Sequence, residues 1–214
     1  MIAIPAYSGT VHMATMRSLI SDLILLLARG DKFTLVDDIG NALIADSRGV
    51  IATNFLKSDC DQLIFIDSDV TWESGALVKL IDAPEDLVGG IYPQRADPLA
   101  WTVNYLDKPE LWSDENGLIE VDAIPTGFMK ISKNCVQKMC EAYPQQYKHD
   151  RAEGGMFYTL FEQVVQDDKR WGEDFSFCRR WRGIGGKVFM LPDIDMGHLG
   201  TKMFQGNLGT WLKS

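Results

Sequence analysis

Basic residues are scarce in this sequence relative to acidic ones. Its 214 residues include 21 Lys and Arg against 30 Asp and Glu, which gives a formal net charge of −9 at pH 7. Proteins that bind nucleic acid through its phosphates usually carry a basic patch or stripe. The composition gives no overall sign of such a surface, so we expect no nucleic-acid partner.

Long apolar runs and closely spaced cysteines are also missing. The most apolar stretch, Leu19 to Ala28, is interrupted by Ser21 and Asp22 and is about half the roughly 20 residues that a membrane span requires. The N-terminal residues lack the basic and apolar regions of a signal peptide. No two of the 4 cysteines have the two-residue gap of a zinc knuckle or a redox dithiol. We therefore expect no transmembrane segment and a reducing, cytoplasmic setting.

The sequence also lacks internal repeats, low-complexity segments and linkers rich in Ser or Pro. With 46% hydrophobic and 24% charged residues, it has the composition of an ordinary globular protein with enough apolar material for a core. We predict one domain over residues 1–214. It would have a nucleotide-binding half to about residue 95, a substrate-facing half over about 96–200, and a tail over 201–214.

Hydrophobic periodicity in the first half predicts strands that alternate with helices. This β-α-β-α-β-α-β order is typical of a parallel sheet with right-handed crossovers. A helix from Val11 to Leu27 would stop at Gly30, Asp46 or Ser47 would cap the second helix, and Ser74 the third. The predicted strands are Ile2–Ile4, Phe33–Val36, Leu63–Ile66 and Leu87–Val88, and the helices after the first are Arg48–Lys57 and Ser74–Ile81.

The second half has more strand-like segments and fewer helices, which favours a mixed sheet. The fold class predicted for the whole chain is therefore α/β, with a central mixed, mostly parallel sheet flanked by helices. The predicted strands are Trp101–Tyr105, Leu118–Val121, Gly127–Ile131, Met156–Phe161 and Lys187–Leu191, and the helices are Lys133–Ala142 and Glu173–Arg182.

Two carboxylates follow the predicted strand Leu63–Ile66. Asp67 and Asp69 flank Ser68, at the end of the strand where open α/β sheets bind their ligands. Two such carboxylates, with a third ligand and phosphate oxygens, suit a hard divalent ion such as Mg²⁺ or Mn²⁺. The alternative is a polar strand end closed by an Asx turn.

The loop Pro5 to Thr10 joins the first strand to the first helix. Backbone N–H groups at a helix N-terminus suit a phosphate, and the ring of Tyr7 could stack on a base. The loop is neither the Gly-x-Gly-x-x-Gly fingerprint nor a P-loop, and an ordinary turn between strand and helix is the alternative.

Acidic and basic side chains elsewhere offer further candidates. Glu173 and Asp174 would open a helix, where acidic residues complement the helix dipole but where one could also act as a general base. His198 lies between two glycines and could be a late imidazole ligand to Mn²⁺. Arg48 and Arg95 could bind phosphate or form surface ion pairs.

These features together resemble the metal-dependent nucleotide-sugar glycosyltransferases of the GT-A fold with a DxD motif. The resemblance is to the small family-2-like type, similar to the capsid-modifying enzymes of large algal viruses. The segments that carry it are Ile2–Tyr7, Ser47–Arg48, Asn54–Leu56, Phe65–Val70, Gly89–Pro93, Pro125–Met129, Gly172–Cys178 and Gly197–Gly200.

The resemblance implies a role for each matching residue. Pro5, Ala6 and Tyr7 would border the base and ribose, with Asp38 a base contact, Arg48 near the base or diphosphate, and Asp67 and Ser68 nearby. Asp69 and His198 would bind the metal, with Asp67 on the ribose, on a metal-bound water or on the metal. Gly127 and Phe128 would border the sugar, and Asp174 or Glu173 would be the catalytic carboxylate.

The resemblance also implies an activity. The enzyme would move a sugar from a nucleotide diphosphate sugar, a UDP-sugar by preference, to a hydroxyl on a glycan or protein-linked glycan, using Mn²⁺ or Mg²⁺. The acceptor motif Gln-x-x-Arg-Trp of processive synthases is missing, so a single sugar would be transferred, by an inverting or a retaining route.

Two other functions remain open at this point. Asp67-Ser68-Asp69-Val70-Thr71 also fits the nucleophile motif of haloacid-dehalogenase-like phosphohydrolases, although that family normally carries it on the first strand. A non-catalytic protein that binds nucleotides or carbohydrates is the third reading.

Overall fold

A computed structural model describes residues 1–108, 110–149, 155–166, 168–200 and 202–213. No helix within these ranges is long and apolar enough to cross a bilayer. The strands are β1 Ile2–Pro5, β2 Leu35–Asp38, β3 Gln62–Ile66, β4 Val70–Trp72, β5 Leu87–Gly90, β6 Ile119–Val121, β7 Phe128–Ser132, β8 Tyr147–His149, β9 Met156–Tyr158, β10 Val165–Gln166, β11 Lys169–Arg170, β12 Val188–Leu191, β13 Asp195–Leu199 and β14 Met203–Asn207. The α-helices are α1 Met13–Arg29, α2 Ile44–Lys57, α3 Ala76–Asp82, α4 Lys133–Ala142, α5 Glu173–Gly183 and α6 Leu208–Leu212.

A seven-stranded sheet in the order β2-β1-β3-β7-β5-β12-β6 forms the centre of the molecule. Strand β1 runs parallel to β2 and β3, and β12 runs parallel to β5. Strand β7 is antiparallel to both of its neighbours, and β6 is antiparallel to β12. The predicted fold class, an α/β fold with a mixed and mostly parallel sheet, is therefore confirmed.

Helices cover both faces of this sheet, so its central strands are apolar on both sides. In β3, Leu63 and Phe65 pack with α2, α4 and α5, and Ile64 and Ile66 pack with α1 and α3. This double burial explains why β3 reads as a continuous apolar run.

A second sheet, β14-β13-β4, lies beside the end of β3. Its middle strand β13 is antiparallel to both neighbours, and its register sets Gly197 against Thr71 and His198 against Val70. Because β4 follows β3 after three residues, this pairing brings the late part of the chain to the acidic turn that contains Asp67 and Asp69.

Several helix boundaries follow from tertiary contacts that local sequence does not reveal. Gly30 does end α1, with a left-handed φ of 86°, but Asp46 and Ser47 lie inside α2, which begins at Ile44 after Leu43. Gly75, and not Ser74, precedes α3. The first backbone N–H groups of α3 are bound by Asp22 from α1 instead.

The strand predicted at Trp101–Tyr105 is not formed, and the predicted C-terminal tail contains a strand that was not predicted. In the first of these segments only single bridges form, from Trp101 to Pro93 and from Asn104 to Ala123. The C-terminal tail contains β14 and α6, while Thr201 and Ser214 of that tail lie outside the described residues.

Candidate active site

The turn between β3 and β4 carries Asp67 and Asp69 to the carboxyl end of the main sheet. The Asp67 amide donates a hydrogen bond of 3.0 Å to the carbonyl of Gly127, and the Leu199 amide donates one of 2.8 Å to the carbonyl of Asp69. These backbone contacts tie the acidic turn to β7 on one side and to the end of β13 on the other.

The side chains of Asp69 and His198 face each other across this junction. His198 Nδ1 lies 3.0 Å from the carbonyl oxygen of Pro93, which can only accept, so Nδ1 carries the proton. Burial and the nearby guanidinium of Arg95 lower the pKa of His198. The lowered pKa favours the neutral imidazole, and the Nε2 atom lies 3.8 Å from Asp69 Oδ1.

Two acceptor atoms that face each other at this distance suit a cation between them. Ligand distances of about 2.1 Å allow two ligands of one ion to lie up to about 4 Å apart. The backbone acceptor on Nδ1 is the kind of outer contact that orients metal-binding histidines. The second oxygen of Asp69 pairs with Arg95, which supplies positive charge at the same place.

Asp67, the third predicted metal ligand, is bound by another side chain. No group of three or more His, Cys, Asp or Glu side chains is arranged as a metal site in the part of the chain that the structure describes. Asp67 Oδ1 instead accepts a hydrogen bond of 2.7 Å from Arg48 Nη2. Asp69 and His198 are therefore the pair best placed to hold a divalent ion.

Arg48 connects two of the predicted site carboxylates. Its side chain is only 3% exposed, and besides Asp67 it contacts Glu173, with 2.5 Å between Arg48 Nη1 and Glu173 Oε1. The sequence suggested that this guanidinium could bind a phosphate or a surface acid. In the structure it is buried and links α2 to the end of β3 and to α5.

Asp174 differs from Glu173 in its surroundings. Its Oδ1 accepts the backbone N–H of Phe175 at 2.7 Å, and no basic side chain pairs with it among the residues described. Burial, followed by the negative charge of Glu173, raises the pKa of Asp174 to about 6. Glu173 is neutralised by Arg48, and Asp174 is the carboxylate with the properties of a general base near neutral pH.

Gly127 and Tyr92 lie next to Asp67. The Gly127 amide donates to the hydroxyl of Tyr92 at 3.2 Å. A Cβ atom on Gly127 would lie 2.4 Å from Tyr92 Oη and 2.7 Å from Asp67 Oδ2, so only glycine fits there. The Phe128 ring is fully buried and packs on Trp72 with centroids 4.9 Å apart, which leaves its backbone alone to border the site.

Tyr92 is the site residue that sequence reasoning missed. Its ring meets the His198 ring edge-on, with centroids 5.0 Å apart, so it contacts both the metal-ligand candidate and the Gly127 backbone. A sequence signal for Tyr92 was present in the segment Gly89-Gly90-Ile91-Tyr92-Pro93. Its two adjacent glycines indicate that the backbone is tightly packed there. A Cβ on Gly90 would lie 2.7 Å from Phe128.

The predicted base-binding residues form a second group at the ends of β1 and β2. Pro5 lies opposite Asp38 in the sheet, and the Ala6 amide donates to the Asp38 carbonyl at 3.0 Å. Tyr7 is 67% exposed. The Asp38 Oδ2 atom is shielded from solvent and has no hydrogen-bond partner among the described residues.

The two groups are adjacent through the acidic turn. The carbonyl of Ser68 accepts a hydrogen bond of 2.9 Å from the His12 amide. This contact fixes the end of the loop between β1 and α1, which we call the β1 loop, against the turn that carries Asp67 and Asp69. The structure thus brings the predicted nucleotide-binding, metal-binding and catalytic residues to one edge of the sheet.

Solved structures share this fold, although comparison of sequences alone finds no relative. No family model matches the sequence, and no curated protein matches it significantly. A197 from STIV aligns with a TM-score of 0.55 at 18% identity, over 93% of this chain and 84% of that chain.

A structure of GalNAc-T7 with UDP, GalNAc and Mn²⁺ aligns with a TM-score of 0.52 at 13% identity, over 93% of this chain and 43% of that chain. The chain thus spans less than half the length of that protein. At these identities the likeness shows the fold, which is the GT-A glycosyltransferase fold. The further similarity to capsid-modifying enzymes stays a prediction.

Proposed function

We propose that this protein is a metal-dependent glycosyltransferase that moves a single sugar from a UDP-sugar to a hydroxyl of a glycan or protein-linked glycan. The observation that carries the proposal is the meeting of three parts at one edge of a GT-A sheet. These are the facing pair Asp69 and His198, the orphan acceptor of Asp38, and Asp174 with its pKa of about 6.

Asp69 and His198 would hold the divalent ion, Mn²⁺ or Mg²⁺. Their donor set of one carboxylate and one neutral imidazole fits Mn²⁺ well, and GalNAc-T7 was solved with Mn²⁺ and UDP. When bound, the ion would neutralise the negative charge that gathers on the departing diphosphate. Arg95, which forms an ion pair with Asp69, would also lie near the diphosphate.

The nucleotide would occupy the surface between the β1 loop and the end of β2. Asp38 would accept a hydrogen bond from a base N–H, Tyr7 would offer a ring face, and Ala6 and Ser68 would border the ribose. Asp67, whose Oδ1 atom is bound by Arg48, would accept a hydrogen bond from a ribose hydroxyl. In this arrangement residues 1–95 supply most of the nucleotide site, and residues 96–200 supply the sugar and acceptor side.

Asp174 would take the proton from the acceptor hydroxyl as the new glycosidic bond forms. A base is most useful when its pKa lies near the working pH, and burial gives Asp174 this property. This role corresponds to an inverting reaction, so the anomeric configuration of the product should be opposite to that of the donor. Gly127 keeps the floor of the site clear of a side chain.

The alternative of a phosphohydrolase is less well supported. It would need Asp67 as a free nucleophile, but Asp67 Oδ1 is bound by the buried Arg48, and the pair of acids follows the third strand of a GT-A sheet. Turnover of a chromogenic phosphate ester that Asp67→Asn abolishes would overturn the transferase proposal in favour of this one.

A thermal-shift screen with UDP-, GDP- and dTDP-sugars in the presence of Mn²⁺ tests the proposal. We expect UDP-sugars to stabilise the protein, by about 2.7 kcal/mol at a free ligand concentration 100 times Kd. Chelation should remove most of this gain, and so should Asp69→Ala. Asp59→Ala, at an exposed position remote from the site, is the matched control and should keep it.

Hydrolysis or transfer assays distinguish the enzyme from a binding protein. A stabilised protein that never releases UDP from any donor, with a panel of glycan acceptors, would be a nucleotide-binding module. The lack of a metal-dependent shift with every nucleotide diphosphate tested would refute the site itself.

A further inference from the structure

The outer face of helix α1 is unusually apolar for a protein of net charge −9. Four apolar side chains on it are largely exposed: Met13 at 69%, Ile20 at 50%, Ile24 at 60% and Leu27 at 62%. With Arg17 they follow the alternating spacing of three and four residues that places side chains in one stripe along a helix. We call these five residues the α1 stripe.

The α1 stripe lies on the side of the helix away from the core. The buried positions of α1 are Thr15, Leu19, Asp22 and Leu26, which fall on the opposite side of the helix. The only acidic residue within α1 is Asp22, which is buried. Exposed apolar side chains scattered singly need no explanation, but a contiguous row along a 17-residue helix marks a contact surface.

We propose that the α1 stripe is the interface of a two-fold symmetric homodimer, in which α1 packs antiparallel against α1 of a second copy near Ile24. A two-fold interface must be complementary to itself, and the stripe meets this condition. Its one charged residue, Arg17, lies towards the N-terminal end of α1. At the other end are the negative pole of the helix dipole and Asp31.

Antiparallel pairing would bring each Arg17 to the C-terminal end of the partner helix. Asp31 there already contacts Arg29, with 2.5 Å between Asp31 Oδ2 and Arg29 Nε, while Arg29 also pairs with Asp82. Asp31 therefore shares the Arg29 guanidinium with Asp82. Arg17 of the second copy would give Asp31 a basic partner of its own.

A membrane surface fits these observations less well than a second copy. Helices that lie on bilayers usually carry several Lys or Arg beside the apolar face. Helix α1 has two arginines, Arg17 and Arg29, and Arg29 is already paired with Asp31 and Asp82. The contact would be centred near Ile24, which is about 18 Å along the helix from His12, the residue that contacts the acidic turn.

Sedimentation equilibrium on the full chain, with Ile24→Glu beside it, tests the proposal. We expect the wild-type protein to dimerise, and the variant to raise the dimer dissociation constant by about 100-fold or more, since a buried unpaired charge is costly. Val165→Glu, at a position 73% exposed on β10, is the matched control and should not change association. Far-UV circular dichroism reports whether each variant is folded.

Cysteine cross-linking provides the second test, which does not depend on a destabilising charge. Ile24→Cys should form a disulfide-linked dimer quickly under mild oxidation, because the two copies of position 24 would lie near the symmetry axis. Val165→Cys should not. A wild-type protein that is monomeric at all concentrations, a dimer that Ile24→Glu leaves intact, a dimer that Ile24→Cys does not cross-link, or binding of the monomer to anionic vesicles through this face would overturn the proposal.

Discussion

At the scale of single residues, two carboxylates that are adjacent in sequence, Glu173 and Asp174, have different surroundings in the candidate site. Glu173 is paired with a buried arginine, and Asp174 is partly buried with no basic partner among the residues that the structure describes. The resemblance implied that one of them is catalytic, with Asp174 preferred, but it offered no physical reason for that preference. The contact between Glu173 and Arg48, 125 residues apart in sequence, is a physical difference that favours Asp174 as the proposed base.

The first prediction concerns the pH dependence of the proposed activity. Since the pKa of Asp174 is raised to about 6, its carboxylate becomes protonated as the pH falls through 6. A protonated carboxyl group cannot take the proton of the hydroxyl to which the sugar is transferred. We expect kcat/KM to fall below pH 6 with a limb near that value. Replacement Asp174→Asn should lower kcat by about 10²- to 10⁴-fold and leave the Mn²⁺-dependent stabilisation by UDP intact.

Glu173→Gln is the matched variant for this experiment. It removes the negative charge that helps to raise the pKa of Asp174, so the acid limb should move to lower pH while measurable activity remains. A limb that stays unchanged in both variants would contradict the assignment of Asp174 as the base.

The second prediction concerns Arg48, which forms ion pairs with Asp67 and Glu173. Arg48→Met keeps much of the side-chain volume but leaves Asp67 and Glu173 without their counter-charge. We expect the free energy of unfolding to fall by about 3 kcal/mol or more, as measured by urea denaturation. Arg170→Met, at an exposed arginine on β11, should change it by less than about 0.5 kcal/mol, and equal losses in both variants would refute the bridging role.

At the scale of secondary-structure elements, helix ends were harder to predict than helix interiors. Helix α4 was predicted at the bounds that it has, Lys133–Ala142, and its cap is local, since the Ser132 hydroxyl accepts a hydrogen bond of 3.0 Å from the Cys135 amide. Helix α3 was predicted to begin at Ser74 but begins after Gly75. Its cap comes from another helix, and no local pattern could reveal it.

The third prediction follows from that cap. Asp22 is fully buried and accepts hydrogen bonds from the Gly75 amide at 2.6 Å, the Leu77 amide at 2.8 Å and Trp72 Nε1 at 3.0 Å. Asp22→Ala would leave three donors unpaired, so we expect a loss of about 3 kcal/mol or more in unfolding free energy. Ser21→Ala, which removes an exposed hydrogen bond to Ser74, should cost less than about 0.5 kcal/mol. A small effect for Asp22→Ala would show that α3 is capped in another way.

At the scale of the whole molecule, the main sheet joins the two halves that the sequence distinguished. Strand β7 of the second half lies between β3 and β5 of the first, and β12 lies beyond β5. A first half folded by itself would leave β3 and β5 without the strand that joins them.

The fourth prediction is therefore a single cooperative unfolding transition. Tryptophan fluorescence and far-UV circular dichroism should give coincident urea curves, and a fragment of residues 1–95 should not fold alone. Two separate transitions, or a folded fragment, would show that the halves are independent domains.

The sequence by itself determined the class of fold and the identity of the chemical groups. Strand β3, helix α4 and the stop at Gly30 follow from periodicity, capping and glycine geometry, which act over a few residues. The order of strands and helices then leaves few arrangements for a parallel sheet. The acidic turn of Asp67 and Asp69 could be recognised because it follows a buried strand directly in the sequence.

Only the tertiary structure decided which groups meet and what state each is in. The facing of Asp69 and His198 depends on the register of β13 with β4, and the pKa of Asp174 depends on burial and on its neighbour Glu173. The contact of Tyr92 with His198 and the bridge through Arg48 are likewise contacts between distant parts of the chain. A one-dimensional pattern records residue types and spacing, whereas proximity, desolvation and charge pairing arise when the chain is packed.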